Sequence, residues 1–134
     1  MSANTVPIFP ASPFIGAASL TSVAAITSRA NITGITGLTA LTAASSNGLR
    51  IDAISLKVKN SASGGCVGIW LYNGTTSFLF DEIVLLPQST PNTSDATGSV
   101  FKPYVNLVLP PNYQLFVSGT QAYDVNVFAF GGAY

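Results

Sequence analysis

Five carboxylates, Asp52, Asp81, Glu82, Asp95 and Asp124, are the acid–base groups of this 134-residue chain, and it has no histidine. That composition provides no Ser-His-Asp or Cys-His machinery and no His-ligated metal. Asp81 and Glu82 are adjacent in a β-rich run, so their side chains point to opposite faces and do not act as a pair. The one cysteine, Cys66, forms no internal disulfide or cysteine-based zinc site. It reads as a small hydrophobe, with no imidazole to activate it. Gly64-Gly65 and Gly131-Gly132 read as turn or terminal glycines, not phosphate loops. The expectation is a protein that is not an enzyme and has no catalytic, cofactor-binding or metal-binding residues. Arg50 and Asp52 read as an ion pair or a solvated strand start.

The remaining chemistry is recognition. Trp70, Tyr72, Tyr104, Tyr113 and Tyr123 could stack on the apolar faces of a sugar, although aromatic residues in strands more often serve core or interface. Trp70 and Tyr72 share a strand face, which suits a subunit contact equally well. A glycan partner is thus possible but has no further support in the residues.

Composition narrows the setting. Apolar residues make up 48% of the chain, charged residues only 7%, net charge is zero and mean hydropathy is +0.46. An average soluble domain is about a quarter charged. With near-zero charge little repulsion keeps molecules apart, which suits a subunit held in an assembly. The 28 serines and threonines supply much of the polar surface. Nucleic-acid binding is not expected, because it needs clustered Lys and Arg. No apolar run reaches the roughly 18 residues of a membrane span. The N-terminus lacks a basic region and carries Pro7, Pro10 and Pro13, which argues against a signal peptide. The sequons at Asn31, Asn73 and Asn92 carry little meaning without one.

The elements that must position these residues are short strands. The clearest are the two halves of Val67 to Leu86, flanking Asn73-Gly74, a pair suited to a tight hairpin turn. A two-residue loop would set Tyr72 opposite Thr75 and Trp70 opposite Ser77; a four-residue loop would keep the same faces. One face then carries Val67, Ile69, Leu71, Phe78, Phe80 and Val84 as the floor of a core. The other carries Cys66, Trp70, Tyr72, Leu79 and Ile83 and needs a cover.

Residues 1–17 read as an extended arm, because three prolines forbid a helix. Its Val6, Ile8, Phe9, Phe14 and Ile15 are too apolar for a solvated tail, so the arm is expected to dock on its own sheet or on a neighbour. Residues 18–31 lean to strand, and the repeats ITG, ITG, LTA, LTA from Ile32 suggest an irregular extended segment. Further strands are predicted at 50–60, 101–109 (an edge or bulged one, given Pro103), 113–118 and 124–130, with residues 87–98 as the longest polar loop. About eight short strands at this turn spacing predict a single all-β domain over 18–134: an antiparallel, jelly-roll-like β-sandwich, with an immunoglobulin-like sandwich as the alternative. The subunit or shell interface is expected at Ile8, Phe9, Phe14, Ile15, Trp70, Tyr72, Leu79, Phe128 and Phe130.

The phrases ITSRANITG (26–34), NGLRIDAISLKV (47–58), VGIWLYNG (67–74), LFDEIVL (79–85) and NLVLPPNYQLFVSG (106–119) together resemble the small virion proteins of tailed bacteriophages. These are capsid decoration, head-fibre or minor head proteins. The resemblance implies a jelly roll, a homo-oligomer (often a trimer) and attachment to a major capsid or other virion protein. The chain would be made in the host cytoplasm and sit on the capsid surface. A receptor- or glycan-binding fibre module and a shell-forming capsid protein are the alternatives.

Overall fold

The structure, a computed structural model, describes residues 12–21, 25–59, 64–87, 98–121 and 124–134. Their regular elements are nine strands: β1 (Ser12–Thr21), β2 (Ile32–Thr33), β3 (Thr39–Ala40), β4 (Leu49–Val58), β5 (Gly65–Tyr72), β6 (Thr76–Leu85), β7 (Ser99–Leu109), β8 (Gln114–Gly119) and β9 (Asp124–Ala133). They form two antiparallel sheets, sheet A in the order β1-β9-β4-β7 and sheet B in the order β2-β6-β5-β8-β3. With the two-residue β2 set aside, the chain crosses between sheets at every step except the β5–β6 hairpin. This is the double Greek key of a jelly roll, so the expected all-β sandwich is the fold.

The core follows from period-2 alternation. Ile54, Leu56 and Val58 of β4, Leu115 and Val117 of β8, and Val125, Val127 and Ala129 of β9 all meet between the sheets. Lys57, Asn126 and Phe128 alternate to the outside. A bulge between Ile51 and Ala53 re-phases β4, so that Leu49 and Ile51 also face inward.

The hairpin takes the longer of the two expected loops and departs from the expected faces further along. Tyr72 pairs with Ser77, so the loop has four residues, 73–76. Asn73 causes this: its Oδ1 accepts the N–H groups of Thr75 (3.0 Å) and Thr76 (2.8 Å), while Gly74 takes φ +96°. Then Trp70 pairs with Leu79 but Ile69 with Asp81, which makes Phe80 an extra, bulged residue. Beyond it the alternation inverts. Ile83, expected outside, is buried in the core, and Val84, expected inside, is exposed. Phe78 and Phe80, expected in the core floor, are also exposed.

The N-terminal half differs too. Residues 12–17, placed in the arm, are the first half of β1, which pairs in unbroken register with β9 from Ser12–Ala133 to Thr21–Asp124. The expected boundary at residue 17 therefore falls inside a strand of the sandwich. Residues 1–11 lie outside the described residues. Of the strand expected over 18–31, residues 18–21 are strand, 22–24 lie outside the described residues, and the segment 25–31 is irregular. It crosses the outer face of sheet B, with Ile26 N–H on Gly119 O (2.9 Å) and Gly34 N–H on Thr75 O (2.7 Å) at its far ends.

Candidate functional site

The charged groups are arranged as local pairs. Arg29 meets Glu82 at 3.0 Å, Arg50 meets Asp52 at 2.9 Å, Lys59 meets Asp124 at 2.7 Å, and Lys102 meets Asp81. Every described carboxylate thus has a cationic partner, and no strong field of one sign is left to steer a charged ligand. Asp81 and Glu82 turn to different partners, as neighbours on a strand must.

Asp81 is the most constrained of these groups. It sits where β6 of sheet B faces β7 of sheet A, and accepts from Tyr104 Oη at 2.7 Å and from the Glu82 N–H at 2.8 Å. Burial alone would raise its pKa. The hydrogen bonds from Lys102, Tyr104 and Glu82, with the Lys102 charge, outweigh that and hold the carboxyl below its ordinary value. Tyr104 responds in the opposite sense: burial, the hydrogen bond to Asp81 and the Asp81 charge push its hydroxyl well above the usual tyrosine range. This cluster ties the two sheets together on their open side. With every member engaged, its chemistry is structural.

Apolar surface dominates instead. Nine large apolar side chains are exposed among the described residues, and seven of them, Phe78, Phe80, Val84, Leu86, Phe101, Val105 and Val108, lie on β6, on β7 or just past β6. These strands form one side of the sandwich. Phe80 lies against the Tyr104 ring, centroids 6.0 Å apart. A second surface lies on the outer face of sheet A. There Ile15 (66% exposed) pairs with Phe130 and Ala17 with Phe128, and the rows continue through Ala53 and Ser55 of β4 to Pro103 and Phe101 of β7. Phe101 and Val108 thus belong to this face, while Val100, Tyr104 and Leu107 turn to the core.

The nine residues predicted as interface fall into separate places. Ile8 and Phe9 lie outside the described residues. Ile15, Phe128 and Phe130 come together on sheet A as one patch. Phe14, on the same strand, turns inward against the core and lines a groove of about 660 Å³ with Gly16, Ala43, Ala44 and Leu49. Trp70, Tyr72 and Leu79 share the outer face of sheet B, but Trp70 is only 1% exposed. Its indole N–H reaches Ser118 Oγ, and residues 25–37 run over this face. Tyr72 stands edge-on to Phe116, ring centroids 5.5 Å apart, and both it and Leu79 are half-buried. The cover that Trp70 needed is this chain's own, so Trp70 is not an exposed interface residue. Cys66, half-buried, donates its N–H to Thr120 Oγ1.

Sequence reasoning missed the β6–β7 side. The bulge at Phe80 put Val84 on the face opposite to the one a regular alternation gives, and Phe78, though opposite Leu71 on the core side, is exposed at the edge. On β7 a signal was available: Pro103 marked an edge, and Phe101, Val105 and Val108 are apolar residues placed along it.

Comparison of the chain with family models, with curated proteins and with solved structures found no match in any of the three.

Proposed function

We propose that this chain is a non-enzymatic structural subunit of a tailed-phage virion, a decoration-type head protein that attaches as a homo-oligomer to the outside of the assembled shell. The observation that carries the reading is the presence of two exposed apolar surfaces, the outer face of sheet A from Ile15 to Phe101 and the edge of β6 at Phe78, Phe80 and Val84, on a sandwich whose core is already complete without them. A subunit between unlike neighbours needs two such surfaces, one for copies of itself and one for the shell. Low charge with local pairing supports it, because nothing on the described surface repels a close neighbour. The jelly-roll fold is common among capsid proteins and adds weight only as analogy. The sheet A patch around Ile15 and Phe130 is assigned to the shell.

Add-back binding tests the proposal. Shells assembled without this chain are mixed with the purified protein and sedimented. Saturable pelleting at a fixed ratio of chain to shell subunit is the expected result, and Ile15→Lys should weaken it at least tenfold. Pelleting no greater than that of an unrelated protein would overturn the reading.

A further inference from the structure

Four strand edges terminate the two sheets, and they are treated differently. The edge of β8 carries the two-residue β3 and further hydrogen bonds from the same chain: Leu41 and Thr42 N–H reach Leu115 O, Thr42 Oγ1 takes the Leu115 N–H, and Ile26 N–H reaches Gly119 O. The edge of β1 carries Pro13, which has no N–H to offer, and the Leu41 carbonyl lies on its inner face against Gly16. The edge of β7 is blunted: Pro103 has no N–H to offer, and Asn106 breaks the ladder with φ +58°.

β6 differs from all three. Its partner β2 reaches only Thr76 and Ser77, so no described strand pairs with the outer edge of residues 78–85. That stretch contains no proline and no lysine, and its two charges are already paired with Arg29 and Lys102. Phe78, Phe80 and Val84 leave it apolar. Apart from the bulge at Phe80 and the Glu82 N–H taken by Asp81, this is an apolar edge that no described strand pairs, and such an edge is complementary to another strand of the same kind.

We infer that a second copy of this chain adds to the free edge of β6 about a two-fold axis, joining the two five-stranded sheets into one. The inference rests on the self-assembly reading above and names its contact. An antiparallel β6–β6 pairing is self-complementary, as a two-fold contact must be. Because β7 lies on the same side of the sandwich, the same axis brings the two open sides together. It covers Phe78, Phe80 and Val84, while kinked β7 adds no ladder. Eight residues of β6 give a contact about 26 Å long over two layers about 10 Å apart. With the flanking side chains this approaches the roughly 800 Å² per partner of a stable interface. The copy number is then even, not the trimer that the resemblance implies.

The test is the mass of the full chain by sedimentation equilibrium, with two variants and one control. Wild type should sediment as a dimer. Val84→Lys and Phe78→Lys, at side chains 61% and 39% exposed in one copy, place like charges across the axis and should weaken the dimer at least tenfold. Ile15→Lys should leave it unchanged. Hydrogen exchange on wild type gives a readout independent of variant folding: amides within 78–85 should gain protection as concentration rises. A trimer, a dimer indifferent to both lysines, or exchange over 78–85 independent of concentration would overturn the pairing. A monomer at every concentration would overturn it too. If that monomer still binds shells, shell attachment stands without the self-association; if it does not, both fail.

Discussion

Trp70 Nε1 donates to Ser118 Oγ at 2.8 Å on the side of sheet B turned away from the core. Both residues are nearly inaccessible, at 1% and 3% exposure, yet neither belongs to the cluster between the sheets. The outer face of the central hairpin therefore has a small core of its own, closed by the segment that leads from β1 to β3. Ser118→Ala would leave a buried indole N–H without its acceptor, at a cost of about 1–3 kcal/mol. A lower urea midpoint with unchanged m-value is the expected result. Because Trp70 is covered within one chain, its fluorescence maximum should not shift on self-association; a concentration-dependent shift would contradict this placement.

Gly16 is a second point of tension, in packing and not in backbone conformation. A Cβ there would collide with the carbonyl oxygen of Leu41, where β1 meets the segment after β3. Gly16→Ala should therefore force β1 away from its neighbour and cost about 1–3 kcal/mol. Thermal melts would show it. A melting temperature equal to wild type would mean that the two segments separate freely.

The Asp81–Lys102–Tyr104 cluster makes stability depend on pH at both ends. The pKa of Asp81 is lowered by folding, so its contribution is complete above the ordinary aspartate range and is lost as pH falls through the lowered value. The pKa of Tyr104 is raised from an ordinary value of 10.0, so its contribution is complete below that value and is lost as pH climbs beyond it. Stability should be flat from about pH 5 to pH 9 with respect to these two groups. Tyr104→Phe should cost about 1.5–3 kcal/mol on that plateau, the scale of a hydrogen bond to a charged group. It should also shift the acid limb upward, since Asp81 loses one of the donors that lower its pKa. An acid limb that does not move would show that Tyr104 does not stabilise the carboxylate.

The architecture was legible wherever alternation was regular. β4, β8 and β9 read correctly, because Ile54, Leu56, Leu115, Val117, Val125 and Val127 repeat at period 2 with polar or aromatic partners between them. Reading failed where one residue broke the period. Phe80 is bulged, and nothing in LFDEIVL announces it, so regular alternation puts Ile83 and Val84 on each other's faces. Trp70 failed for another reason. Its cover comes from residues 25–37, whose path depends on hydrogen bonds to Gly119 and Thr75 far along the chain. Local pattern carries no such information. Of the site, outward Phe128 and Phe130 were legible from alternation on β9; Ile15 beside Phe130 was not, because it depends on residues 12–17 joining β1. The open β6 edge was not, since the shortness of β2 is set by where that crossing segment ends.

The central claim is that this chain is a shell-bound subunit whose exposed apolar surfaces are covered by unlike neighbours. Electron cryomicroscopy of the virion that carries it tests that claim most directly. The account predicts two-layer sandwich density outside the shell at lattice-fixed positions, with Ile15 and Phe130 toward the shell and the β6–β7 side against another copy. Virions without such density, or density in which both surfaces face solvent, would contradict it.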